Sequence, residues 1–171
     1  MLEPLDPAAW KEFFFTIAAA SATLIGLIVV GLSIHADFIA QSLTHRAHAR
    51  ATLITLTATL VIAVAALPPQ PPSMAGYEFG LVTLAFAAIN TYNNVKVLRP
   101  IHWQVPRAAW ERMAIGYAIA ACGLVGAFSI VAREGAGGGL YWIALEAIGA
   151  LVWAIAGAWR FLIGVADERR A

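Results

Sequence analysis

The sequence predicts an all-α membrane protein, a bundle of five transmembrane helices with the N-terminus outside and the C-terminus inside. Three observations carry that prediction. Of the 171 residues, 61% are hydrophobic and only 12% charged, whereas a soluble domain has about 45–50% and about 25%. The apolar residues fall into five long runs, each near the ~20 residues that a helix needs to cross ~30 Å of hydrocarbon. The basic residues crowd into alternate links between those runs. This composition excludes a disordered chain, a disulfide scaffold and a typical cytosolic enzyme, and the mean hydropathy of +0.76 agrees. Cys122 is the single cysteine, so neither an intrachain disulfide nor a thiolate metal cluster is available.

The runs make one transmembrane domain over residues 1–171. The first, 13–34, is free of charge. The second, 51–67, is the shortest and stops at Pro68-Pro69. The third, 77–95, has Glu78 at its mouth. The fourth, 113–132, follows Glu111-Arg112, and the fifth, 140–165, carries Glu146 and Arg160. Helix is the expected backbone because unpaired amides cannot be left in lipid. The runs are too continuous for the alternating pattern of a membrane barrel. The acidic start, MLEPLDPAAWKE, lacks the basic region that opens a cleavable signal peptide.

The links are of two kinds. Residues 68–76 (PPQPPSMAG) and 133–139 (REGAGGG) are tight breaks rich in Pro and Gly. Residues 35–50 and 96–112 are longer. In the first of these, Ser42 or Thr44 suits the cap of a helix that begins before the membrane does. In the second, Trp103 and Trp110 suit the headgroup level, and Pro106 suits the first turn of a helix. One side of the membrane holds Lys11 and Arg133. The other holds Arg46, Arg50, Lys96, Arg99, Arg107, Arg112, Arg160, Arg169 and Arg170. Such asymmetry in short segments places the basic side in the cytoplasm. Arg outnumbers Lys, and with the Ala and Gly load this suggests a bacterial source and hence the inner membrane.

Unrolling each run at 100° per residue gives the candidate faces. Ala18, Ala22 and Gly26 form a small-residue stripe in the first run; Gly116, Ala120, Gly123 and Ala127 form another in the fourth. Stripes of this kind let backbones approach, either within one chain or between subunits. In the second run His45, His48, Thr52, Thr55 and Thr59 share a face, a stripe that either lines a polar path or bonds back to its own helix. Thr83, Ala87, Asn90 and Asn94 share a face of the third run, with Asn93 beside them, as interhelix contacts or as a polar vestibule. In the fifth, Glu146 shares a face with Gly157 and Arg160. An acid so deep in an apolar run should face protein or water. His45 and His48 are two imidazoles without a fixed third ligand, so no metal site is assigned.

The segments FFFTIAAASATLIGLIVVGLSI, RAHARATLITLTATLVIA, ALPPQ, GLYW and VWAIAGAWRFLIG resemble a family of small uncharacterised bacterial polytopic membrane proteins. Some relatives are labelled modulators of a membrane-bound ATP-dependent protease. The resemblance implies no catalytic residues. The sequence also lacks HExxH, GxSxG, a phosphate loop and paired membrane aspartates, so an enzyme is not expected. The expectation is an oligomeric channel or pore-forming subunit for small ions, or else an accessory or modulator subunit that binds another membrane complex. The expected partners are the lipid bilayer, further copies of the chain or a larger membrane complex. No cofactor, metal or nucleic acid is expected.

Overall fold

The computed structural model describes residues 7–98, 107–134 and 138–168. Arg99, His102, Trp103, Pro106, Arg169 and Arg170 lie outside the described residues. The described residues are helical almost throughout: α1 (Pro7–Ile34), α2 (Ala36–Gln41), α3 (Leu43–Ala65), α4 (Pro72–Leu98), α5 (Arg107–Ala132) and α6 (Gly139–Glu168). Every helix but α2 is long and apolar enough to cross a membrane, so the protein is a multi-pass membrane protein by helix length and hydropathy. Four of the five apolar runs sit inside their helices. The helices are longer than the runs because their ends continue past the apolar zone. The second run, 51–67, overruns its helix by two residues, since α3 ends at Ala65 with Ala66 as its C-cap. The third helix starts ahead of its run at Pro72, a residue suited to the first turn because its missing N–H has no partner to lose there. The 35–50 link is helical, as the capping signal suggested: the Ser42 hydroxyl accepts the backbone N–H of His45 at 3.4 Å.

Helices α3, α4, α5 and α6 close a ring in which each packs on its two neighbours in the ring. Helix α1 lies outside it, mainly against α3 and less against α6. Successive long helices are antiparallel. At the end that holds the N-terminus, Trp10 meets Tyr141 edge-on at 4.9 Å. At that same end the Gln70 side chain donates to the Ala65 carbonyl at 3.1 Å and to Glu78 at 3.0 Å, tying α3 to α4. The core cluster is concentrated there too, with Phe14, Ile17, Ile62, Phe79, Ile130 and Ile143 among its members. The outer surface is studded with exposed apolar groups such as Leu27, Leu81, Phe128 and Val152. On a soluble protein these patches would aggregate, whereas here they face the acyl chains.

Lipid removes the hydrophobic drive between helices, so contact itself must hold them. Among the described glycines, the closest approach to a neighbouring backbone joins α5 and α6. A Cβ on Gly126 would lie 2.8 Å from the Gly139 carbonyl oxygen, and one on Gly139 would lie 2.7 Å from that of Gly126. At Gly76 a Cβ would meet Val131 at 2.6 Å. These glycines let the backbones touch.

The predicted small-residue stripes divide. Ala18 is buried, but Ala22 is exposed and Gly26 has open space where a Cβ would be. Phe14, Ile17 and Ser21 define the inward side of α1, and Ala22 and Gly26 stand about 80–120° away from Phe14. Neither belongs to the core among the described residues. On α5, Ala120 is half-buried and Gly123 is buried, but Gly116 again has nothing within 4 Å of a Cβ. Gly116 shares the face of Gly123, so its vacancy reflects looser packing toward the basic end. Gly157 faces α3, where a Cβ would touch the Thr52 hydroxyl at 3.8 Å.

Gly126→Leu and Gly139→Leu should each lower the thermal unfolding midpoint in detergent, because overpacking costs about 1–3 kcal/mol. Gly26→Leu should leave the midpoint of the isolated chain unchanged. A midpoint loss for Gly26→Leu equal to that of Gly139→Leu would contradict the placement of α1.

Candidate functional site: a buried carboxyl between three helices

Glu146 is the one ionisable group among the buried described residues, at 5% exposure; the other buried polar residues are Ser21, Thr59, Thr83 and Asn93. It sits on the inward face of α6 with Ile143, Ala147, Ala150 and Ala154, all buried. Seven residues separate it from Gly139, so it lies about 10 Å along the helix. Helix α4 supplies its hydrogen bond: Thr83 Oγ1 donates to Glu146 Oε1 at 3.0 Å. Helix α5 supplies its floor. A Cβ on Gly123 would overlap the carboxyl group, so the carboxyl rests directly on the α5 backbone. The second oxygen, Oε2, is buried without a hydrogen-bond partner.

Thr83 differs from six other threonines, of which Thr91 also has its hydroxyl 2.9 Å from that of Tyr117 on α5. Thr16, Thr23, Thr52, Thr55, Thr59 and Thr91 each turn their hydroxyl to the carbonyl four residues back. That local bond is the ordinary choice for a helical threonine. Thr83 reaches across the bundle instead.

The α3 stripe is thus in place but chemically occupied. Thr52, Thr55 and Thr59 face inward or are half-buried, and their hydroxyls are held by His48, Ala51 and Thr55 carbonyls at 2.9–3.1 Å. The imidazoles join a separate cluster at the basic end. His48 Nε2 lies 2.7 Å from an Arg112 guanidinium nitrogen. Guanidinium can only donate, so this ring nitrogen is the acceptor. His45 stacks on Phe38 at 5.3 Å and meets the edge of Phe161 at 5.9 Å. No group of three or more metal-ligating side chains occurs among the described residues. Arg160 is exposed, folds over Trp153 at 5.2 Å and donates to the Ala156 carbonyl at 3.1 Å.

Asn90 and Asn94 are half-buried, whereas Asn93, between them, is buried with its Nδ2 unpartnered. Ser21 on α1 is fully buried, and its hydroxyl too lacks a partner. Ser21 carried no signal in the sequence beyond its place among alanines. Gly126 was legible only as a further small residue beside Gly123. The structure brings together Glu146 and Gly123, and apart from them Thr52 and Gly157. It keeps His45, His48, Asn90 and Asn94 away from the carboxyl's hydrogen bond. No family model, curated protein or solved structure matches the chain.

Thr83→Val should cost about 0.6–2 kcal/mol, the usual range for an interhelix hydrogen bond in a membrane protein. Gly123→Ala should cost more, because the carboxyl must leave its place. Thermal unfolding in one detergent would rank the two, and a neutral Gly123→Ala would contradict the contact.

Proposed function

We propose that the protein is a non-enzymatic, multi-pass subunit of the bacterial inner membrane that acts by binding another membrane protein, either further copies of itself or a larger complex. The observation that carries this reading is the bare outer side of α1. The peripheral helix turns Ala22 and Gly26 away from its own bundle, and a small-residue surface on a membrane helix is suited to close approach by a second helix. Thr52, Thr55 and Thr59 of α3, in contrast, are tied to their own backbone. The N-terminus outside and C-terminus inside follow from the basic asymmetry.

A second reading, a small-ion path within an oligomer, is favoured by two observations: Oε2 of Glu146 has no partner, and Gly116 on the same side of α5 leaves room toward the basic end. The two readings separate cleanly by experiment. Purification from membranes in mild detergent should yield a stoichiometric partner or a defined oligomer. Gly26→Leu should release it while the chain stays folded. Retention of the partner by Gly26→Leu would reject this face as the interface. For the ion-path reading, flux into liposomes should appear with the wild type and change in Glu146→Gln. Identical flux in both, or none in either, removes that reading.

Orientation is checked separately. A C-terminal fluorescent fusion should glow and an N-terminal periplasmic reporter should be active; the opposite result for both would reverse the assignment.

A further inference from the structure

Where α1, α2 and α3 meet at the basic end they leave an open crevice of about 380 Å³. That volume is within the ~300–1,000 Å³ of ordinary ligand sites. Its walls are apolar: Val29 and Leu32 from α1, Ala36 and Ile39 from α2, Ala49 and Leu53 from α3. Ser33 also lines it, but its hydroxyl is turned to the Val29 carbonyl at 2.7 Å. The single charged group in the lining is Arg46. Val29, Ser33, Ala36, Ala40 and Arg46 are exposed, so the crevice opens outward, to the lipid side of the bundle.

The crevice has a direction. Arg46 stands near the start of α3, and Leu53 is seven residues further in, about 10 Å along the helix. One end is therefore cationic and at the headgroup level, and the other is hydrocarbon. Arg50, one turn below Arg46, lies about 40° round the helix from it and is exposed. Neither arginine has a side-chain partner among the described residues. Asp37 is the nearest acid in sequence, but it is about 100° round α2 from Ala36 and does not line the crevice.

We propose that this crevice is a binding site for an anionic phospholipid. The phosphate pairs with Arg46 and Arg50, and one acyl chain lies along Val29, Leu32 and Leu53. Arginine suits a phosphate because its planar fork donates two parallel hydrogen bonds. Long cationic side chains near a helix end reach up to the headgroups while their stems cover apolar surface. A zwitterionic lipid fits the groove but brings its own cation to the arginines. The charge complementarity therefore selects an anionic headgroup. Val29 and Ser33 continue the Ala22–Gly26 face of α1, within about 60° of it, so the lipid site adjoins the surface offered to a partner helix.

The test uses the full chain, delipidated in a neutral detergent and titrated with phosphatidylglycerol or phosphatidylethanolamine. Bound lipid is counted by native mass spectrometry. Phosphatidylglycerol should bind more tightly. Arg46→Gln and Arg50→Gln should each weaken it about fivefold, the worth of one basic residue near an anionic surface. Arg107→Gln, an exposed arginine at the same end on α5, is the control and should have little effect. Ser33→Phe fills the crevice and keeps both arginines, and it should displace the lipid without altering charge. Thermal midpoints in lipid-free detergent identify any variant that has lost its fold. Glycerol phosphate should not compete, because it has no acyl chain. Equal losses for Arg107→Gln and Arg46→Gln would reduce the effect to general attraction at a basic surface and overturn the site. So would equal binding of the two lipids, full competition by glycerol phosphate, or a change in oligomer mass in place of a change in bound lipid. The last outcome would make a second copy the occupant.

Discussion

The contact between the backbones of α5 and α6 sets the geometry on which the rest depends. Gly126 and Gly139 each occupy the space where the other's side chain would stand. In lipid there is no gain from merely hiding apolar surface, because the surroundings are as apolar as the core. Helices gain by touching over a long, well-fitted surface, where many weak dispersion contacts add up. One turn from Gly126, Gly123 continues the same bare strip, and here a side chain from α6 fills it. That side chain is Glu146. The carboxyl serves as a spacer between α5 and α6 and as a polar hand to α4 through Thr83. A larger residue at 123 would separate the helices and the acid together.

From that contact the packing changes along the bundle. At the end holding the N-terminus, Phe14, Phe79, Ile130 and Ile143 interlock, and each is almost wholly buried. Toward the other end the inward groups become smaller or polar: Ala150, Ala154, Asn93. Gly116 has no neighbour within reach of a Cβ. Fewer contacts mean cheaper local rearrangement, so the basic end is the less tightly held of the two. The groups there are of a matching kind. Ring stacking of His45 on Phe38 and the His48–Arg112 hydrogen bond join α2, α3 and α5 through side chains at the surface. A tight end thus holds the ring closed, and a softer, cationic end meets the headgroups.

The spans were legible because their signal is one-dimensional: length, apolarity and the Pro or Gly that ends a run. The sides of the helices were much less so. A helical wheel tells which residues share a face, but in a soluble protein the polar face then points outward and fixes the orientation. In lipid both faces are apolar and that pointer is missing. Gly26 and Gly123 therefore looked equivalent, although one has open space beside it and the other carries a carboxyl. Glu146 stood out since a charge within an apolar run is expensive. Thr83 and Gly123 were legible as members of their own helix faces but not as its partners, because they come from other helices. The α3 threonines show the opposite limit. Their common face was real, but each hydroxyl had a nearer acceptor on its own backbone, and nothing in the spacing distinguishes that from a lined path.

The threonines also bear on why an acid stands at position 146. Thr83 has the same local option as the other helical threonines, the carbonyl four residues back, which here belongs to Phe79. It would keep a hydrogen bond if Glu146 were absent. The fold therefore does not need the carboxyl to satisfy Thr83. Nor does it need it for volume, since Met or Gln is of similar length. The acid instead leaves Oε2 buried and unpartnered, a cost that neither of the close glycine contacts requires. Helix packing accounts for a side chain of this length between α5 and α6; it does not account for the carboxylic acid. What remains is a group able to exchange a proton or accept a further hydrogen bond at one fixed point inside the ring. In a bundle whose other polar groups are mostly tied to their own helices, the chemistry of the interior is concentrated there.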